Sequence, residues 1–150
     1  MLRRSQEDLG ALRIFDPGDP SLAAVAAGAP WFKALFGRDS LLTAYMGLPV
    51  DRSLALGTLR TLARDQGEKV DPLTEEEPGK TLHAVRLGVQ SGLSLRGCST
   101  YYGTVDATPL FVVLFGELAL WGAEPAEVRE LLPHADRAPA VGRPLRRPRR

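Results

Sequence analysis

The chain has 150 residues, of which 44% are hydrophobic and 25% charged, and its formal net charge is +1. That balance suits one globular domain with a core and excludes a chain that is disordered throughout. A single cysteine, Cys98, excludes an internal disulfide and any cysteine-based zinc cluster.

The first residues carry arginines but no apolar segment behind them, so no secretory leader is expected. No apolar run approaches the roughly 20 residues needed to span a membrane. The longest, Pro109–Phe115, has the length of a buried helix. With one thiol and neither of those segments, a cytoplasmic setting is expected. The charge is unevenly spread: five of the nineteen basic residues are arginines within 139–150, which leaves a mildly acidic body. Such a body offers no nucleic-acid surface, and no nucleic-acid or membrane partner is expected.

In chain order, SQEDLGALRIF (5–15) predicts one short helix capped by Ser5, broken by the turn-forming DPGDP at 16–20. A second helix is predicted over Ser40–Leu48, capped by Asp39 or Ser40. Asp51 is placed to cap a third, in which Ala55, Leu59, Leu62 and Ala63 share one face and Gly67 is a C-terminal stop. After the polar loop KVDPLTEEEPGK, the spacing of Leu82, Val85 and Val89 predicts another helical face ending near Gly92. Thr108 suits an N-cap and Pro109 a first helical position, with LFVVLFGELALW running on to a stop at Gly122. Pro125 then opens a helix towards Leu132. Two helical hairpins are expected, 40–48 with 51–66 and 109–121 with 125–132, and the fold class read from these patterns is all-α. Residues 1–138 form the expected domain. The Arg/Pro-rich residues 139–150 cannot build a core, and disorder is expected there.

Three loops, each before a predicted helix, carry residue types that sugar chemistry uses. In PWFKALFGRDS (30–40), Trp31 offers an apolar platform for a sugar face, and Arg38 and Asp39 can clasp vicinal hydroxyls by donating and accepting. The plainer reading makes Trp31 and Phe36 core residues and Arg38-Asp39 a pair at a helix start. In EEEPGKTLH (75–83), three carboxylates beside Lys80 and His83 are either site walls or a solvated loop. A lone His83 is no evidence for a metal, and no cofactor is expected. In YYGTVDATPLF (101–111), Tyr101, Tyr102 and Asp106 suit sugar contact, or Asp106 simply caps the helix with Thr108. Signatures of a phosphate loop, a dinucleotide site, a zinc protease or a serine hydrolase are absent from the sequence.

Taken together, AAGAPWFKALFGRDSLLTAY, DQGEKVDPLTEEEPGKTLHAVRLG and YYGTVDATPLFVVL resemble the bacterial amylo-α-1,6-glucosidase (glycogen-debranching) family. The likeness covers nearly residues 3–138 and stops where the Arg/Pro-rich tail begins. It implies part of an (α/α)6 toroid of helical hairpins acting on α-1,6-glucosidic branches of glycogen-like glucans. By the match, Arg38 and Asp39 are expected to bind the terminal glucose, with Trp31, Lys80, Tyr102 and Asp106 as weaker substrate-binding candidates. One departure is Ala84, where the family usually carries glutamate after its PGK-x-x-H segment.

An inverting mechanism of that type needs an acid and a base about 6.5–9.5 Å apart. In the family these lie beyond the matched segments, so no catalytic residue is assigned and the chain is expected to be inactive alone. The alternative expectation is a carbohydrate-binding or helical interaction remnant without catalysis. The change after Ala138 is expected to mark a reading-frame change or a fragmentary gene. Unpartnered apolar side chains such as Leu110, Val113 and Leu114 are expected to favour self-association. The whole reading requires the three loops to converge and the middle of the chain to be free of sheet.

Overall fold

The computed structural model describes residues 2–15, 19–20, 22–30, 32–85 and 100–138. Among these, five helices alternate with short strands. Helix α1 is Leu2–Ala11, followed by strands β1 (Arg13–Phe15), β2 (Ala23–Val25) and β3 (Leu35–Phe36). Helices α2 (Gly37–Gly47) and α3 (Arg52–Arg64) come next, then strands β4 (Ala84–Val85) and β5 (Thr100–Tyr101). Helices α4 (Ala107–Leu120) and α5 (Pro125–Arg137) complete the described elements.

The all-α expectation is therefore wrong, and the partial (α/α)6 toroid goes with it. Strands β1 and β2 pair antiparallel with Ile14 opposite Ala24, and β3-β4-β5 form a second antiparallel sheet through the middle of the chain. The reason is physical: a strand of two residues shows no alternation, so nothing local announces it. Phe36 lies opposite Ala84, and Ala84 opposite Tyr101, so each strand exists only because a sequence-distant partner satisfies its backbone. The helix expected around Leu82 and Val85 is one casualty. Leu82 is fully buried in the core and Val85 lies in β4, while Val89 and Gly92 fall outside the described residues. The first segment is another, because the predicted 5–15 helix is α1 up to Ala11 and strand β1 from Arg13.

The hairpins themselves form. Asp51 accepts a hydrogen bond from the Ser53 N–H at 3.0 Å and so caps α3, whose Ala55, Leu59, Leu62 and Ala63 are all buried. Helix α2 begins at Gly37, earlier than expected. Neither Asp39 nor Ser40 caps it: the Ser40 hydroxyl is fully buried and donates to the Val25 carbonyl at 2.6 Å, tying α2 to β2.

Helix α4 ends in a Schellman turn. Gly122 has φ 81, its N–H reaches Ala119 O, and the Ala123 N–H reaches Leu118 O. Pro125 is at the first position of α5, where Glu124 and Glu127 form a reciprocal capping box. Helix α5 runs past Leu132 and through Pro133 to Arg137, held on either side of the proline by buried Leu131 and Ala135.

The core is the meeting place of α2, α3, α4 and α5. Leu41, Leu59, Leu62, Phe111, Leu114, Leu118 and Leu131 are each almost fully buried there, with Leu82 and Tyr102 brought in from the loops. Each such leucine contributes on the order of 1.5–3 kcal/mol. Of the side chains expected to lie bare, Leu114 is buried and Leu110 packs against the core, whereas Val113 is exposed. Among the described residues, no helix is long and apolar enough to cross a membrane. Residues 139–150 lie outside the described residues.

Candidate functional site

The three-stranded sheet brings the three candidate loops to one place. The Gly37 N–H, first in α2, donates to the His83 carbonyl at 2.9 Å, and the His83 N–H donates to the Tyr101 carbonyl at 2.8 Å. The Thr81 N–H donates to the Thr108 hydroxyl at 3.0 Å, which fixes the 75–83 loop to the start of α4. Thr108 is thus a tertiary fastener, and Asp106 is the residue flanking the helix.

Glycine at position 37 makes this convergence possible. A Cβ there would lie 2.1 Å from the Leu82 carbonyl oxygen and 3.2 Å from the Ala107 Cβ. Helices α2 and α4 consequently start side by side, with their N-terminal dipole ends together, an arrangement that favours negative charge.

Of the paired residues in the sequence, Arg38 does not hold its neighbour Asp39. Its Nη1 donates to Asp106 Oδ2 at 3.3 Å, across two loops and between two helix starts. The other Asp106 oxygen accepts the Thr104 hydroxyl. The Thr104 hydrogen bond, with Arg38 adding to it, holds the Asp106 carboxyl below the usual carboxylate range. Asp106 makes no side-chain cap, and with one bond to each oxygen its carboxylate keeps acceptor capacity beyond Thr104 and Arg38. Arg38 is exposed and Asp106 half-buried, so both are reachable from solvent. Asp39, in the first turn of α2, has no side-chain partner among the described residues. Trp31 lies outside the described residues.

Two candidates turn inward. The Lys80 ammonium is buried and donates to the Glu75 carbonyl at 2.9 Å and to the Glu77 carboxylate at 3.4 Å, so it staples its own loop. Glu75 has φ 56, in the left-handed region, a conformation costing about 1–2 kcal/mol for a residue with a Cβ. The Lys80 bond to its carbonyl and the Tyr101 hydroxyl bond to its carboxylate, 2.8 Å long, offset that cost. Tyr102 is also buried, and its hydroxyl donates to the Asp65 carbonyl at 2.8 Å. Burial pushes its phenol up to about 12, with Glu76 and Asp65 adding to the effect. Lys80 and Tyr102 therefore build the scaffold of the site, and their polar ends are already used.

What sequence reasoning missed is a row of rings. Phe32 meets Phe36 at 6.1 Å, Phe36 meets His83 at 5.8 Å, and His83 meets Tyr101 at 5.9 Å, all edge to face. Phe36, His83 and Tyr101 come from the three neighbouring strand segments, and Phe32 extends the row outward at 59% exposure. These residues were visible in the sequence as aromatics, but only the pairing of the strands aligns them.

No family model matches the chain, and no curated protein is significantly similar to it. The three segments present an exposed cation in contact with a half-buried carboxylate, a second carboxylate beside the cation in the first turn of α2, and an aromatic row. Among the described residues, no group of three histidine, cysteine or acidic side chains is placed to hold a metal.

Proposed function

We propose that the chain is a carbohydrate-binding piece related to the amylo-α-1,6-glucosidases, engaging α-glucans in the cytoplasm without hydrolysing them by itself. One observation carries this reading: the Arg38–Asp106 pair and the Phe32–Phe36–His83–Tyr101 row stand on the same three converging segments. A pyranose has an apolar face and a rim of vicinal hydroxyls. Rings meet the face, while a guanidinium donates to hydroxyl oxygens and a carboxylate accepts from hydroxyl protons.

Asp106 does not fit the part of the catalytic acid. A glycosidase acid must hold a proton near neutral pH, which requires a raised pKa. Asp106 is shifted the other way by Thr104 and Arg38, so it serves as an acceptor and as no proton donor. The sheet through the middle of the chain breaks the condition on which the glucosidase reading stood, so sugar binding is supported by this local arrangement and by the likeness of the three segments, and no longer by the architecture.

The test is titration of the isotope-labelled chain with maltotriose and with panose, a linear trisaccharide that carries one α-1,6 linkage, followed by amide chemical shifts. Millimolar, saturable shifts confined to 32–40, 75–83 and 101–108 are expected. They should be lost in Arg38→Met and weakened in Asp106→Asn, and no glucose should be released. Absence of saturable shifts in those segments would overturn sugar binding. Glucose release abolished by Asp106→Asn would overturn the non-catalytic assignment.

A further inference from the structure

A concavity lies away from the Arg38–Asp106 pair. A cavity of about 400 Å³ separates α1 from the α2–α3 hairpin, a size within the range of small-molecule sites. Its apolar side chains come from separate elements: Leu9 on α1, Met46 on α2, Val50 in the turn and Leu54 on α3. Met46 and Val50 are 70% and 62% exposed, so they contribute nothing to the core and leave apolar surface at the cavity rim. Helix α1 stands off the body: none of its described side chains is buried, and only Leu9 is half-buried. Yet α1 bears an apolar side chain towards the cavity and polar ones, Ser5 and Gln6, at its margin.

The charge of the cavity is balanced. Arg13 and Asp51 are the charged residues lining it, and they pair with each other at 2.6 Å. Asp51 is further fixed by accepting from the Ser53 N–H and hydroxyl, which holds it below the usual carboxylate range. A charged ligand would lose hydration without finding an unbalanced counter-charge, whereas an apolar body with a neutral polar head loses little. We propose that this cavity binds a small uncharged amphiphile, its apolar part between Leu9, Met46, Val50 and Leu54, with α1 closing over it.

The experiment uses the full chain and three probes of one length: 1-hexanol, hexanoate and hexylammonium. The readouts are the Met46 methyl resonance and amide exchange across 3–11. Hexanol is expected to shift the methyl saturably and slow α1 exchange severalfold, with both charged probes binding at least fivefold more weakly. A double variant, Met46→Lys with Val50→Asp, changes two exposed side chains and should abolish the shift. The proposal is overturned if none of the probes gives a saturable shift, or if the double variant responds as the parent does. It is equally overturned if a charged probe matches hexanol, or if the Met46 methyl shifts with protein concentration alone, which would make the occupant a second copy of the chain.

Discussion

Replacing Gly37 by alanine tests the convergence on which the site depends. The new methyl would sit 2.1 Å from the Leu82 carbonyl oxygen, about 1.2 Å inside an ordinary carbon–oxygen contact of about 3.3 Å. Leu82 cannot retreat easily, because its side chain is fully buried and the next carbonyl, that of His83, accepts from the Gly37 N–H at 2.9 Å. Relief therefore requires parting α2 from the 82–83 segment, which strains packing by about 1–3 kcal/mol and weakens a hydrogen bond worth about 1 kcal/mol.

Alanine recovers at most about 1 kcal/mol through helix propensity, and less at the first helical position. The net expectation is a loss of about 2 kcal/mol, or about 4–8 °C in Tm for a chain of this size. Urea denaturation followed by circular dichroism measures it. Gly116→Ala is the matched comparison: it lies inside α4 with nothing within 4 Å of a Cβ, and should gain up to about 1 kcal/mol. If Gly37→Ala proves as stable as the parent, the close approach of α2 to the 82–83 segment is refuted.

Three further expectations follow from the pairs and shifts. Arg60 holds Glu130 by two bonds, 2.9 and 2.6 Å, but both groups are partly exposed, so a double-mutant cycle should give about 0.5–1 kcal/mol, fading in 1 M salt; zero coupling at low salt contradicts the bidentate geometry. His134 is pushed below its ordinary value, first by burial and then by Arg137, so the folded state binds fewer protons than the unfolded one. Stability should fall as pH drops below about 6.5, with a second fall below about pH 4 as Asp51, Asp106 and Glu130 are protonated. His134→Gln should remove the first fall alone, and its persistence in that variant would exclude His134 as its source. Tyr102, raised to about 12, keeps its proton when folded, so stability present below about pH 10 should be lost as pH rises towards the folded value. Tyr102→Phe should delete the highest step in a 295 nm phenolate titration; amplitude lost near pH 10 instead, with the highest step intact, would mean that Tyr102 ionises normally.

Much of the candidate site was legible as residue type and little of it as arrangement. Arg38 and Asp106 both stood out, yet they are far apart in sequence and their contact exists only because α2 and α4 start together. Lys80 and Tyr102 read equally well as ligand contacts, and burial decided otherwise by turning their polar ends onto the Glu75 and Asp65 carbonyls. His83 offered no signal as a lone histidine, and became the middle of an aromatic row once β3, β4 and β5 paired around it.

The helices were written in local terms. Asp51 as a cap, Gly122 as a stop, Pro125 as a start and the 55-59-62-63 face of α3 all act within a few residues of themselves, so a reader of the sequence can find them. The three-stranded sheet was not, because its two-residue strands carry no period and draw their hydrogen bonds from partners far along the chain. Which side chains meet at the mouth of α2 and α4, and therefore what this protein can hold there, was decided by that long-range pairing alone.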